Sequence, residues 1–201
     1  MSLPNSVSSS ETLMIAGFAS FGGRGYEASS LDAIAAELGV RKQTILYYFP
    51  TKEALLAAVI DRSATELSEV LEDALARAGE GWDRVEAVVR SVFRLALRRP
   101  ELLGLLREVS RLGPPAATRL TDALDPLVQR ARAFLEAEMD AGTMRRQDAR
   151  LVLLSAYSTV IGVATEVEVL RAVGIDPTLR SLAMRRRELL AFLRSALLVD
   201  A

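Results

Sequence analysis

The sequence contains no histidine and no cysteine, and these two absences exclude more chemistry than any residue present announces. Without them the commonest general base, the nucleophilic thiol and the usual zinc ligands are missing, and no disulfide framework can form. There is also no G-x-S-x-G elbow, no S-x-x-K pair and no phosphate-binding loop. An enzyme is therefore not expected, and neither a cofactor nor a metal site. The glycines Gly22-Gly23-Arg24-Gly25 lack the spacing of a dinucleotide fingerprint and read as a helix stop followed by a turn.

Long hydrophobic runs are scarce too. The longest uncharged stretch, 151–165, lies between Arg150 and Glu166 and falls short of the roughly 20 residues that cross a bilayer, so it reads as a buried helix. No basic residue precedes the apolar patch from Leu13 to Phe21, unlike a secretion signal. No membrane association is expected, and a cytoplasmic location is the default. Lysine is rare: of 25 basic residues only Lys42 and Lys52 are lysines.

What is present is helix. Half of the 201 residues are hydrophobic. Alanine, leucine and arginine dominate, and glycine and proline fall at intervals of a helix length, which gives an all-α chain of about nine helices. Ser8 with Glu11 has the form of a capping box, and Leu13, Gly17, Phe18 and Phe21 recur on one face of a first helix. Ser29 with Asp32 has the same form and opens a short second helix with an inner face of Leu31, Ile34, Ala35 and Leu38, stopped by Gly39. In the third, Ile45, Leu46 and Phe49 form an inward stripe opposite Gln43, Thr44, Tyr47 and Tyr48, and Pro50 ends it. Thr51 caps a fourth helix running toward Arg77 with a ladder of Leu55, Leu56, Val59, Leu67 and Leu71. Five more follow, separated by 79–81, Pro100, 113–115, 142–143 and 174–177. Pro126 falls inside the seventh, where it should kink or split the helix.

Two short helices joined by a glycine turn, the second outwardly polar and aromatic, are what a helix-turn-helix needs to lay one helix in the major groove of DNA. Arg41, Lys42 and Gln43 at the start of the third helix can reach base edges, while Thr44, Tyr47 and Tyr48 can donate hydroxyls to phosphates. Net charge does not advertise this function. Residues 1–52 hold four basic groups (Arg24, Arg41, Lys42, Lys52) against four acidic ones (Glu11, Glu27, Asp32, Glu37).

Over residues 10–60 the sequence resembles the tetracycline-repressor (TetR) family of bacterial regulators, through Phe21, Gly25-Tyr26, Ser29-Ser30, Ile34-Ala35, Gly39-Val40, Thr44, Tyr47, Phe49 and Lys52-Glu53-Ala54-Leu55-Leu56. The resemblance implies a three-helix DNA-binding head over 1–52 and a helical ligand-binding and dimerisation body over 53–201. It also implies repression of a palindromic operator relieved by a small molecule. Phosphate-contact roles carry over to Ser30, Thr44, Tyr47, Tyr48 and Lys52, and base-reading roles to Arg41, Lys42 and Gln43. Arg41 stands where a serine or threonine commonly opens the recognition helix, so a cap worth about 1 kcal/mol is missing. Leu46 replaces a more usual tyrosine, and Tyr48 a frequent histidine. The alternative function is a helical small-molecule binding protein that does not bind DNA.

The segments 148–173 and 178–198 match the family's dimer helices. Ala156, Thr159, Gly162 and Val163 offer a small-residue face, and Leu182, Leu189, Leu193 and Leu197 an apolar stripe. Periodicity alone allows packing within the subunit equally well, and the resemblance favours a homodimer. An effector pocket among the fourth to eighth helices would draw on Trp82, Phe93, Leu97, Leu106, Phe134 and Tyr157, with Arg107, Glu108 and Ser110 as polar partners. Its ligand is expected to be apolar or aromatic.

Overall fold

The structure is a computed structural model that describes residues 9–199. The capping box proposed at Ser8 lies outside the described residues. Ten helices form among them: α1 (Ser9–Arg24), α2 (Leu31–Leu38), α3 (Lys42–Tyr48), α4 (Lys52–Ala76), α5 (Trp82–Arg98), α6 (Pro100–Leu112), α7 (Ala116–Asp140), α8 (Ala149–Thr165), α9 (Val167–Ala172) and α10 (Leu179–Leu197). One isolated β-bridge joins Met144 to Leu198. No helix among the described residues is long and apolar enough to cross a membrane.

Helix ends follow the local chemistry with three corrections. The first concerns α2, whose N-cap is Ser30: its hydroxyl oxygen accepts from the Ala33 N–H at 3.1 Å. Ser29 is buried instead and donates to the Gly25 carbonyl at 2.7 Å. Second, Pro126 does not split α7, which continues through it with buried leucines on both sides, Leu120 and Leu135. Third, the stretch expected as one helix over 148–173 is two, because α8 ends at Thr165 and Glu166 leaves the helical region (φ −82°, ψ 79°). β-Branched Thr165, Val167, Val169 and Val173 are weak helix formers around that break.

The chain divides into two compact units, Met1–Glu66 with Glu101–Ala123, and Leu67–Pro100 with Leu124–Ala201. In the first, α1, α2 and α3 pack on one another. Phe21, Ile34, Ile45 and Leu55 are fully enclosed. Helix α6 meets α1 backbone to backbone. A Cβ added at Gly22 would collide with the Glu101 carbonyl oxygen, and one at Gly104 would lie 2.6 Å from that of Gly22. This contact explains why α1 runs on through Gly22 and Gly23, and why the turn waits for Gly25 at φ 88°. The Glu108 carboxylate of α6 accepts from the Tyr26 backbone N–H at 2.8 Å. Asp61 of α4 takes both arms of the Arg119 guanidinium, at 2.7 and 2.6 Å.

In the second unit α5, α8 and α10 pack together. Leu135, Met139, Met144, Ala149, Val152 and Leu197 form a core cluster flanked by Trp82, Val85 and Phe134. The link between α7 and α8 is fastened to the end of α10, where the Arg145 N–H donates to Leu197 O at 2.8 Å and its Nε to Leu198 O at 2.7 Å.

The apolar stripe of α10 points inward. Leu182, Leu189, Leu193 and Leu197 are all buried within the subunit, so the surfaces left for another molecule are the opposite ones. Those carry Met184, Phe192 and Val199 around α10, and Leu151, Leu154 and Tyr157 on α8, all exposed. The inward stripe also contains a charge, since Arg185 is only 6% exposed. Its Nη1 donates to Val163 O, a carbonyl freed by the end of α8. Interaction of a cation with a helix C-terminus is worth about 0.3–1 kcal/mol at the surface and ~2 at most, whereas burying an unpaired charge costs several.

Candidate nucleic-acid interface

The geometry of the interface begins at the turn between α2 and α3. Gly39 sits in the left-handed region (φ 66°, ψ 27°); its N–H bonds Ala36 O at 3.1 Å, and the Val40 N–H bonds Ala35 O at 3.0 Å. This pair of bonds closes α2 and turns the chain sharply into α3. Arg41 occupies the N-cap of α3 with no side-chain cap bond, as its residue type implied. Ile45 is completely buried, and Leu46 and Phe49 are half-buried, so the inner face anchors α3. Outward stand Arg41, Gln43, Thr44, Tyr47 and Tyr48. Tyr47 is 81% exposed and packs edge-on against Tyr48, with ring centroids 5.0 Å apart.

The cations of this region differ sharply in how they are held. Arg24 pairs with Glu37, which holds that carboxyl below its ordinary range mainly through the Arg24 hydrogen bond. The other arm of Arg24 donates to Ser20 at 2.8 Å, and Ser20 donates to Ser29 at 2.7 Å. Lys42 is paired with Asp32 of α2 at 2.7 Å. Arg41 has no ion-pair partner among the described residues. Lys52 lies over the Tyr26 ring, 3.9 Å from its centroid, a cation–π contact that fixes the ammonium at the start of α4. The Tyr26 hydroxyl donates to Glu53 at 2.8 Å. Burial first, and then that carboxylate, push the phenol well above its ordinary pKa. The Glu53 carboxyl is held low by its own backbone N–H, then by Tyr26 and Thr51. Thr51 caps α4 as expected, accepting from the Ala54 N–H at 3.0 Å.

Residues 13–59 match the family described as bacterial regulatory proteins, tetR family. The HTH-type transcriptional activator FasR of Mycolicibacterium smegmatis is 33% identical over 81 residues, 40% of this chain and 37% of FasR. The likeness to the TetR family is thus one of the N-terminal segment. The match spans little more than a third of FasR's length. A likeness of fold to solved regulators extends over nearly the whole chain. A TetR regulator of Chloroflexus aurantiacus superposes with a TM-score of 0.77 at 21% identity, covering 95% of this chain and 96% of that one. The ketosteroid transcriptional regulator KstR2 of Mycobacterium tuberculosis gives 0.72 at 16%, covering 98% of each. At such identities the likeness is one of fold.

Within this head, three residues matter that the sequence had assigned no role at the DNA interface. Asp32 holds Lys42, while Tyr26 and Glu53 place Lys52. A pairing between residues 32 and 42 crosses a turn and follows no helical spacing, so periodicity could not show it. Tyr26 stood among the residues of the resemblance, without a function.

Of the six aromatic and aliphatic residues named for an effector pocket, five lie in the second unit and Leu106 lies in the first. Trp82 and Phe134 are half-buried on the core cluster of the second unit, and Phe93 is enclosed in that unit. Leu97 and Tyr157 are about half exposed. Leu106 is buried and belongs to the first unit. Of the polar candidates, Glu108 is committed to the Tyr26 N–H, and Ser110 donates to Leu106 O of its own helix at 2.9 Å.

Proposed function

We propose that the protein is a DNA-binding transcriptional regulator that holds a palindromic operator as a homodimer and is released by a small molecule. The observation that carries this reading is the outward face of α3. Arg41, Gln43, Thr44, Tyr47 and Tyr48 are all solvent-exposed on a helix anchored from behind by Ile45. An exposed tyrosine pair beside an unpaired arginine suits a phosphate backbone, with hydroxyls and a guanidinium as donors. Ser30, Thr44, Tyr47, Tyr48 and Lys52 serve as phosphate contacts, and Arg41, Lys42 and Gln43 as base readers. Ser30 already caps α2 through one lone pair, which leaves its O–H proton for a phosphate. Lys42 reaches a base only by leaving Asp32.

The homodimer is supported by the exposed apolar residues of α8 and α10, which a monomer would leave in water. Two heads are needed because one helix-turn-helix buries too little surface for specific binding. The head ends near Lys52, and the remaining helices bind effector and partner. Whether binding represses or activates depends on where the operator lies.

Genomic SELEX tests the reading directly. It should recover a two-fold symmetric site with half-sites about one helical turn apart. Recovery of no site, with DNA affinity absent even at low salt, would sink the regulator and leave a helical binding protein in its place.

A further inference from the structure

Arg185 is more than nine-tenths buried, yet no described residue supplies its guanidinium with an anion. Among the described residues no carboxylate lies within ion-pair distance of it. Its Nη1 is used by Val163 O at the end of α8. Its Nε is sealed from solvent without a hydrogen-bond partner, and Nη2 enters no hydrogen bond with the described residues. Nε and Nη2 together form the side edge of a guanidinium, whose two parallel N–H groups match the two oxygens of a carboxylate. Capping one carbonyl would need only a neutral donor. A charge with an empty two-donor edge is a costlier device than that task requires. The residues beside it on the inward face of α10 are Leu182 and Leu189, and α8 contributes buried Val160 and Ala164 to the same unit.

We propose that Arg185 is an anion-binding residue of the second unit, which takes the carboxylate of a small molecule with an apolar body. Only the further step, that this molecule acts as the effector, rests on the regulator reading above. Nε is closed off in this structure, so the apolar side chains of α8 and α10 around it must move apart to admit the ligand, whose carboxylate the charge then orients. Burial lowers the pKa of Arg185 without a compensating charge nearby, in keeping with a cation that awaits its anion.

The test uses purified full-length protein with octanoate and its uncharged counterpart octanamide. Thermal unfolding is followed together with the arginine Nε–H resonances, the Arg185 signal being assigned by its loss in Arg185→Met. Octanoate should raise the melting temperature saturably and move the Arg185 Nε–H signal. Octanamide should bind at least tenfold more weakly. Arg185→Met should lose the octanoate response. Arg185→Lys keeps a charged donor for Val163 O but lacks the two-donor edge, so it should fold and bind octanoate at least tenfold more weakly. An absent octanoate response, an equal response to octanamide, or one retained in both variants would overturn the proposal. So would an Arg185 signal that shifts with protein concentration alone, which would assign the carboxylate to a second copy. Operator binding is scored separately. Octanoate binding that leaves it unchanged would keep the site and remove only the effector step.

Discussion

Arg41 and Lys42 stand at the start of α3 and Lys52 at the start of α4, and the structure gives each of these cations a different state before DNA arrives. Arg41 has no ion-pair partner among the described residues, Lys42 is held by Asp32, and Lys52 is stacked on Tyr26. Each phosphate neutralised by a cation steepens the salt dependence by about 0.9 in log–log slope, while a base contact mainly selects sequence. Lys52→Ala should therefore weaken binding to all sequences and flatten the slope by about one, as read from fluorescence anisotropy between 50 and 200 mM salt. Tyr47→Phe should weaken binding with the slope nearly unchanged, because a neutral hydroxyl displaces no counterion. Asp32→Asn should tighten binding, since it frees Lys42 and removes a carboxylate beside the phosphates. A slope unmoved by Lys52→Ala would remove that residue from the interface. Asp148, the N-cap of α8, makes a second prediction at this scale. Hydrogen bonds from the Arg150 side chain and backbone hold its carboxyl well below the ordinary range. A depressed folded-state pKa contributes stability above the unfolded value of about 4 and loses it as pH falls from there. The melting temperature should consequently drop more steeply below pH 4 in the wild type than in Asp148→Asn.

Among elements, the crossing of α1 and α6 is the tightest constraint, because two backbones meet with no side chain between them. Gly22→Ala and Gly104→Ala each push a methyl group into a carbonyl oxygen of the other helix. Overpacking of this kind costs typically 1–3 kcal/mol, so the urea midpoint should fall in each variant even though alanine is the better helix former. A midpoint equal to or above wild type would show that α6 can stand away from α1 at no cost. The break at Glu166 is an element-scale event of another sort. It frees Val163 O, which Arg185 then takes, so a local interruption in one helix sets the environment of a charge on another.

For the whole molecule, the proposed homodimer distinguishes the exposed faces of α8 and α10 from their buried ones. Phe192 is 60% exposed and a Cβ added at Gly162 meets nothing within 4 Å. Phe192→Asp and Gly162→Trp should therefore leave the subunit folded and shift the dimer toward monomer, as sedimentation velocity at micromolar concentration would show. Leu189→Asp, on the buried face of the same α10, should unfold the subunit instead. A wild type that sediments as a monomer would end the homodimer reading. Effector and operator binding should also oppose each other reciprocally, with a coupling of roughly 1–3 kcal/mol that calorimetry with and without operator would measure. An effector with equal affinity in both settings would leave release unexplained.

The sequence by itself determined the helices, their number to within one, the glycine turn before the recognition helix and the polar face that follows it. These depend on interactions within a few residues, namely caps, left-handed glycines and the 3.6-residue repeat. Ser29 and Ser30 show where that reasoning stops, since both fit a cap locally and only the packing that buries Ser29 beside Ser20 left Ser30 at the helix end. The apolar stripe of α10 shows the same limit, because periodicity defines a face without saying what covers it. Tertiary structure alone decided that Leu182 and Leu189 turn inward and that Lys42 is held by Asp32. It also decided that Arg185 lies buried with no carboxylate of the described residues beside it. Each of those outcomes depends on residues that are distant in sequence or separated by a turn, and the energy of burying a charge is set by neighbours that local pattern does not contain.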